Sequence, residues 1–254
     1  MRILVTNDDG VDAPGLRVAE AIAAGLSDDV WTVAPSSNRS GTGQSVSLHE
    51  PLACIQQGPK QYVLPGTPAD CVMYGVGHLL RDTPPDVVFS GVNHGANLSD
   101  SIMYSGTIGA VLAAEHLGIA GVALSQAYRG ERIDFEPSRR WARTALHTLW
   151  AQQDAVRCWS INFPATLGDT APCLRIVREA RLPVSQPRWI ADRDAQDPRQ
   201  QRLTFAYDSR HVTDPDRDIA ALRNGRVAAM ALRGARSDPN IPGPSAAFEW
   251  PMRG

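Results

Sequence analysis

Two adjacent carboxylates, Asp8 and Asp9, lie in Asn7-Asp8-Asp9-Gly10, directly after the short β-like run Arg2 to Thr6. Neighbouring carboxylates repel, and a hard divalent cation is the usual way to keep both ionised. A helix-capping turn is the alternative, since Asp is common at such positions. A second polar cluster, Asn38-Arg39-Ser40-Gly41-Thr42-Gly43, offers hydroxyls, backbone amides and one guanidinium. Those groups bind phosphate, although a plain surface loop would have the same composition. A third cluster runs from Ser90 through Asn93, His94 and Asn97 to Tyr104-Ser105-Gly106-Thr107. Ser-Gly-Thr opens a helix, and helix N-termini present free N–H groups to anions; an ordinary hydroxyl cap is the bland reading. Taken together, hard oxygen ligands and a phosphate nest point to metal-assisted phosphoryl chemistry. His94, inside the third cluster, and Arg39, inside the second, are candidate substrate contacts.

The elements that must position these clusters alternate. Arg2 to Thr6 is β-like. Pro14 suits a first helical turn, with Leu16, Ala19, Ile22, Ala23 and Leu26 at helical spacing and Gly25 at the close. Val30 to Ala34 is a second strand, followed by a polar loop from Pro35 to Ser45. Tyr62 to Leu64 is strand-like. Thr67-Pro68-Ala69-Asp70 has an N-cap, a proline at N1 and a carboxylate at N3, which predicts a helix to about Leu80. Asp86 to Ser90 is a strand, and Gly91 to Tyr104 a loop. A helix is expected from Ser105 to Gly118, a strand over Ile119 to Ser125, and a helix from Pro137 to Ala151. Arg157 to Ile161 and Leu174 to Val177 are later strands. Such alternation favours an α/β fold with a mainly parallel sheet and helices on both faces. In that fold class ligands bind outside the carboxyl ends of the strands, where all three clusters fall.

The 254 residues are taken as one domain over 1–233, with a Gly-, Pro-, Ser- and Arg-rich arm or disordered tail over 234–254. A net charge of −2 excludes a strongly basic nucleic-acid footprint. The apolar N-terminal run is too short for a secretory signal, and no stretch approaches a spanning helix. Cys54, Cys71, Cys158 and Cys173 lack CxxC spacing, which fits reduced cysteines in a cytoplasmic protein. His49, His78, His116, His147 and His211 have no metal spacing. Trp141 and Trp150 are assigned to packing, and the arginines of Arg188 to Arg210 to a solvated loop face.

NDDG after the first strand, APSSNRSG after the second, PGTPADCV, SGVNHGANL and YSGTIGA occur in this order. The chain resembles the SurE family of stationary-phase survival proteins, which are metal-dependent nucleoside monophosphate phosphatases. The likeness is dense over residues 1–125. Beyond that, SINFP (Ser160 to Pro164) and the stretch Val212 to Gly225 still look like family segments.

The resemblance implies a Rossmann-like three-layer sandwich with a C-terminal oligomerisation extension, forming a homodimer or homotetramer. It implies one divalent cation per subunit on Asp8, Asp9, Ser40 and Asn93. Those are hard oxygen donors, suited to Mg²⁺ or Mn²⁺ rather than structural zinc. It implies phosphate contacts at Asn97, Ser105, Gly106 and Thr107. The substrate would be a nucleoside monophosphate, with 3′ esters and short polyphosphate left open. No nucleic-acid duplex and no membrane partner is expected. Two departures stand out. Asn97-Leu98-Ser99-Asp100-Ser101 replaces the family's usual NLGxD, and Ala113-Ala114 replaces a common Glu-Gly.

Two other readings compete. One is a nucleotide- or anion-binding module without turnover, but a passive phosphate nest gains nothing from two extra negative charges without a metal. The other is a phosphatase that forms an aspartyl-phosphate; those normally show DxD rather than DD.

Overall fold

The computed structural model describes residues 1–152, 157–166, 172–180, 188–192, 202–206, 214 and 216–234. Two strands beside the site alternate their apolar residues. In β1 (Arg2–Thr6) Ile3 and Val5 face one side and Leu4 the other. In β5 (Val87–His94) Val87 and Phe89 are set against Val88 in the same way. This period-2 pattern on a sheet buried on both faces requires two helical layers.

One layer is α1 (Pro14–Ala24) with α4 (Glu136–Gln152). Leu16, Ala19, Ile22, Leu146 and Leu149 bury against Ile3, Val5 and Phe89, and Trp141 and Trp150 pack at the margin of that core. The other layer is α2 (Pro68–Tyr74) with α3 (Gly106–His116), where Cys71, Val72, Ala110 and Ala114 meet Leu4 and Val88. Ala113-Ala114, one departure from the family pattern, therefore packs into a core.

Nine strands form one sheet. The remaining members are β2 (Asp29–Pro35), β3 (Ile55–Gly58), β4 (Gln61–Leu64), β6 (Ala120–Gln126), β7 (Cys158–Phe163), β8 (Leu174–Ile176) and β11 (Val227–Ala231). Their order is β3-β4-β2-β1-β5-β6-β7-β11-β8. Pairing is parallel from β4 through β7, with β3 and β11 antiparallel to their neighbours β4 and β7. The chain moves outward from β1 to β2 and then returns to place β5 on the other side of β1. A crevice opens at such a switch point, outside the strand ends.

The α2 start is the expected capping box. Asp70 N donates to Thr67 Oγ1 at 3.1 Å, and Asp70 Oδ2 accepts from Thr67 N at 2.8 Å. The same carboxylate takes Ser47 N and Ser47 Oγ, which ties the loop after residue 45 to this helix. Beyond Tyr74 the helix widens into a π turn over Gly75–Leu79.

Three expectations are corrected. The strand expected to stop at Ser90 runs on to His94, because Asn93 and His94 pair with Ser125 and Gln126 after an irregularity. Ile55–Gly58 adds an edge strand that its sequence, IQQG, does not announce. Within the arginine-rich stretch, β9 (Arg188–Asp192) and β10 (Arg202–Ala206) pair antiparallel instead of forming a loop. A short helix, α5 (Asp218–Arg223), precedes β11. His211 and residues 235–254 lie outside the described residues. Among the described residues no helix is long and apolar enough to cross a membrane.

At the opposite end of the sheet from the three clusters, Asp29 accepts from Arg2 Nε and Lys60 Nζ, both at 2.7 Å, and from Trp31 Nε1 at 2.9 Å. The hydrogen bonds from Lys60 and then Arg2 hold its carboxyl well below the usual range. A lowered folded pKa contributes stability above the unfolded value of about 4 and loses it as pH falls further. Asp29→Asn is expected to cost about 1 kcal/mol at neutral pH, since these pairs are partly exposed. The difference should shrink below pH of about 4. Urea unfolding at two pH values checks it, and an equal loss at both would refute the assignment.

Candidate functional site

The β1 strand delivers Asp8 and Asp9 into the crevice beside β5. Asp8 is 3 % exposed and Asp9 partly exposed. Asp8 Oδ1 accepts from Thr107 Oγ1 at 2.7 Å, in the first turn of α3. Gly106 lies close against the same residue: a Cβ there would lie 2.9 Å from Asp8 Cβ and 3.1 Å from Thr42 Oγ1. Only glycine lets the helix start approach so closely. The helix is capped by Ser105, whose Oγ accepts from Ile108 N at 3.1 Å.

The second cluster arrives through main-chain bonds. Arg39 N donates to Asp8 O at 2.6 Å, and Gly43 N donates to Tyr104 O at 3.0 Å. Ser40 thus sits one residue from a direct tie to Asp8, with its own amide on Asn38 Oδ1. The third cluster reaches Asp9: His94 N donates to Asp9 Oδ2 at 2.9 Å. Asn93, its neighbour, directs its side-chain amide to Gly95 O at 2.8 Å. The exposed His94 ring stands edge-on to the Tyr128 ring, 4.9 Å between centroids.

Asp8, Asp9, Ser40, Asn93, Ser105, Gly106 and Thr107 are therefore drawn into one neighbourhood. Some anticipated substrate contacts are otherwise engaged. Thr107 directs its hydroxyl to Asp8. Arg39 Nη2 donates to Pro65 O at 3.3 Å, so this group faces the protein. Asn97 is buried and donates Nδ2 to Ser125 Oγ at 2.8 Å. Sequence reasoning assigned no role to Ser125. Its only signal was a small hydroxyl residue closing the apolar run Val122–Leu124.

Burial raises the pKa of Asp8, the charge of Asp9 adds to that, and the Thr107 hydroxyl opposes it. Burial also raises Asp9, and the His94 amide opposes it. The described salt bridges leave both carboxylates aside. Asn7 Oδ1, just past the end of β1, and Ser90 Oγ, midway along β5, are buried with no protein partner among the described residues. The donors here are oxygens, and no cluster of three His, Cys, Asp or Glu occurs among the described residues. Such a set fits a hard divalent cation: the repulsion and burial that oppose ionisation of two adjacent carboxylates are what a cation reverses.

Comparison with known proteins agrees in fold and sequence. A family profile described as survival protein SurE matches residues 3–184. A protein of Burkholderia lata named 5′-nucleotidase SurE 1 is 36 % identical over 93 % of this chain and 92 % of its own length. One of Azorhizobium caulinodans, named 5′-nucleotidase SurE, is 38 % identical over 94 % of each. The crystal structure of SurE protein from Aquifex aeolicus superposes with a TM-score of 0.80 at 28 % identity, covering 94 % of this chain and 95 % of that one. With the strand order, the NDDG turn and the SGT helix start all in place, the chain belongs to the SurE family.

Proposed function

We propose that this protein is a nucleotide phosphomonoesterase that hydrolyses nucleoside 5′-monophosphates to nucleoside and phosphate. The observation that carries the reading is the adjacent pair of buried Asp8, held at the N-terminus of α3, and partly exposed Asp9, in the crevice between β1 and β5. The names of its relatives, 5′-nucleotidase SurE, support the substrate class.

We assign Asp8, Asp9, Ser40 and Asn93 to one Mg²⁺ or Mn²⁺ per subunit. What that ion supplies when bound is positive charge at the phosphate oxygens and a more acidic water. The chain's own groups do the rest. Main-chain amides at Gly106 and Thr107, the Ser105 hydroxyl, and the Asn97 Nδ2 hydrogen not given to Ser125 hold phosphate oxygens against the positive end of α3, the Ser105 amide itself being taken by Ile102 O. Fixed donors at those positions meet the charge that grows in the transition state. Asp8 is clamped by Thr107, so the more exposed Asp9 is the base for the attacking water. The exposed His94 beside Asp9 borders the substrate.

Residues 1–233 are proposed as the catalytic domain. A homodimer or homotetramer is proposed through the C-terminal half; β9 and β10, paired with each other in a sheet of their own, support that. All four cysteines are free, which supports a cytoplasmic location.

The test is phosphate release from a panel of nucleoside 5′- and 3′-monophosphates and short polyphosphate, with EDTA and then with Mg²⁺ or Mn²⁺ restored. Turnover of 5′-monophosphates that stops in EDTA and returns with metal is expected. Turnover undiminished in EDTA would overturn the metal assignment, and none on any nucleotide would overturn the reading.

A further inference from the structure

Two sequence segments find no place in the site as described: SINFP, and the stretch Val212 to Gly225. Each contributes one buried side chain to the same turn. Asn162, in the middle of SINFP and 2 % exposed, accepts from Asn97 N at 2.8 Å through Oδ1. Its Nδ2 donates to Asn97 O at 3.1 Å and to Ser160 Oγ at 3.3 Å. The side-chain amide thereby pairs both polar groups of residue 97, as a neighbouring strand would. Asp218, first residue of α5 and 1 % exposed, accepts from Ser99 N at 2.6 Å through Oδ2. Its Oδ1 takes Ala180 N at 2.9 Å and Ile219 N at 2.7 Å.

The turn needs such brackets. It leaves the end of β5 and crosses the ends of β6 and β7 before the 3₁₀ turn at Ser99–Tyr104. Ser99 has φ of 55°, in the left-handed region, and stands where the family usually has glycine. Its hydroxyl donates to Ala180 O. Two main-chain amides, at 97 and 99, would otherwise be buried without acceptors. Ser125 and Asn162 are register partners on β6 and β7, so the side chain and the main chain of Asn97 are gripped by one cross-strand pair.

We propose that Asn162 and Asp218 are positioning residues for the phosphate-binding turn: they hold residues 97–99 so that Asn97 meets a phosphate oxygen. This rests on the assignment of Asn97 to phosphate made above. It gives the two C-terminal segments a task in the reaction although neither touches substrate. A displacement of about 1 Å at such a group is enough to cost about 10²-fold in rate.

The experiment measures KM for a nucleoside 5′-monophosphate, inhibition by inorganic phosphate, Mn²⁺ affinity and melting temperature. The variants are Asn97→Ala, Asn162→Ala, Asn162→Asp and Asp218→Asn. Asn162→Asp keeps the acceptor for Asn97 N but loses both donors, at nearly constant volume, and serves if the alanine variant does not fold. Gln126→Ala is the control: Gln126 is fully buried and bonds Phe163 O, Pro164 O and Ser138 N, so it reports lost stability alone. Asn162→Ala and Asp218→Asn are expected to raise KM and the phosphate inhibition constant about 10–100-fold, with Mn²⁺ affinity unchanged. Asn162→Asp should move them in the same direction by less, and Gln126→Ala should lower only the melting temperature. If Asn97→Ala raises both constants but the Asn162 and Asp218 variants follow Gln126→Ala, the positioning role is overturned and the phosphate assignment stands. If Asn97→Ala itself changes neither constant, the assignment of Asn97 to phosphate fails, and with it this inference.

Discussion

Asp8→Asn and Asp9→Asn are each expected to lower kcat/KM on a nucleoside 5′-monophosphate by on the order of 10²–10³ or more, with the fold retained. Each substitution removes one charged oxygen from a hard-cation site while keeping side-chain size. The fold should survive because burial disfavours the ionised form at both positions, so neutralisation relieves a cost to the folded chain. The two variants should nevertheless differ. Asp8 is seated against Thr107 and Gly106, and an amide nitrogen turned toward the Thr107 hydroxyl would lose the present bond. Among the described residues Asp9 holds only the His94 amide, and it has more freedom to adjust. Thr107→Val removes the hydroxyl that orients Asp8 and is expected to weaken metal binding by about 10–100-fold, the usual size for a group that orients a ligand. Steady-state kinetics over a Mn²⁺ titration, with thermal melts alongside, measures all three. Wild-type activity in both aspartate variants would remove the carboxylates from the reaction. Phosphate trapped covalently on Asp8 would replace water attack by an aspartyl-phosphate route.

Gly109→Ala should disable the site from a residue that touches no substrate. A Cβ at position 109 would lie 1.9 Å from Gly43 O and 2.6 Å from Gly43 C. Both are backbone atoms, so no side chain can swing aside. The loop over residues 42–45 must retreat from α3, and it is otherwise fastened there by Gly43 N to Tyr104 O at 3.0 Å. Retreat carries Thr42 and Ser40 away from Asp8. Overpacking of this kind costs about 1–3 kcal/mol, and each kcal/mol lowers the melting temperature by about 2–4 °C in a chain of this size. The loss in kcat/KM is expected to be about 10²-fold, as for a misplacement near 1 Å. Calorimetry and kinetics on the purified variant decide it, and unchanged values in both would show that the loop does not need this contact.

Local chemistry was legible wherever its cause lies within a few residues. Thr67, Pro68 and Asp70 announce a capped helix start because all the interacting groups lie in one turn. Ser105 does so at α3 for the same reason. Two aspartates after an apolar strand announce a strained acidic turn whatever surrounds them. The extension of β5 to His94 was hidden because Gly91-Val92-Asn93-His94 has a turn-like composition, and only pairing with Ser125 and Gln126 makes it a strand. The β9–β10 pair was hidden likewise, since an arginine-rich segment pairs only when a partner strand supplies its hydrogen bonds.

The sequence by itself determined the inventory of this site: hard oxygen donors, a hydroxyl-capped helix start, and the turns that present them at strand ends. Those properties follow from side-chain chemistry and short-range backbone preference, which act without a fold. Only the tertiary structure decided which groups serve substrate and which serve each other. Thr107 reaches an aspartate 99 positions away, and Asn97 is held from 65 positions away. Ser99 is held from 119 positions away. These partners meet because the strand order sets β5 beside β1 and the parallel register sets Ser125 beside Asn162. Strand order and register are settled by burial summed over whole faces of the sheet, a quantity that no short stretch of residues contains.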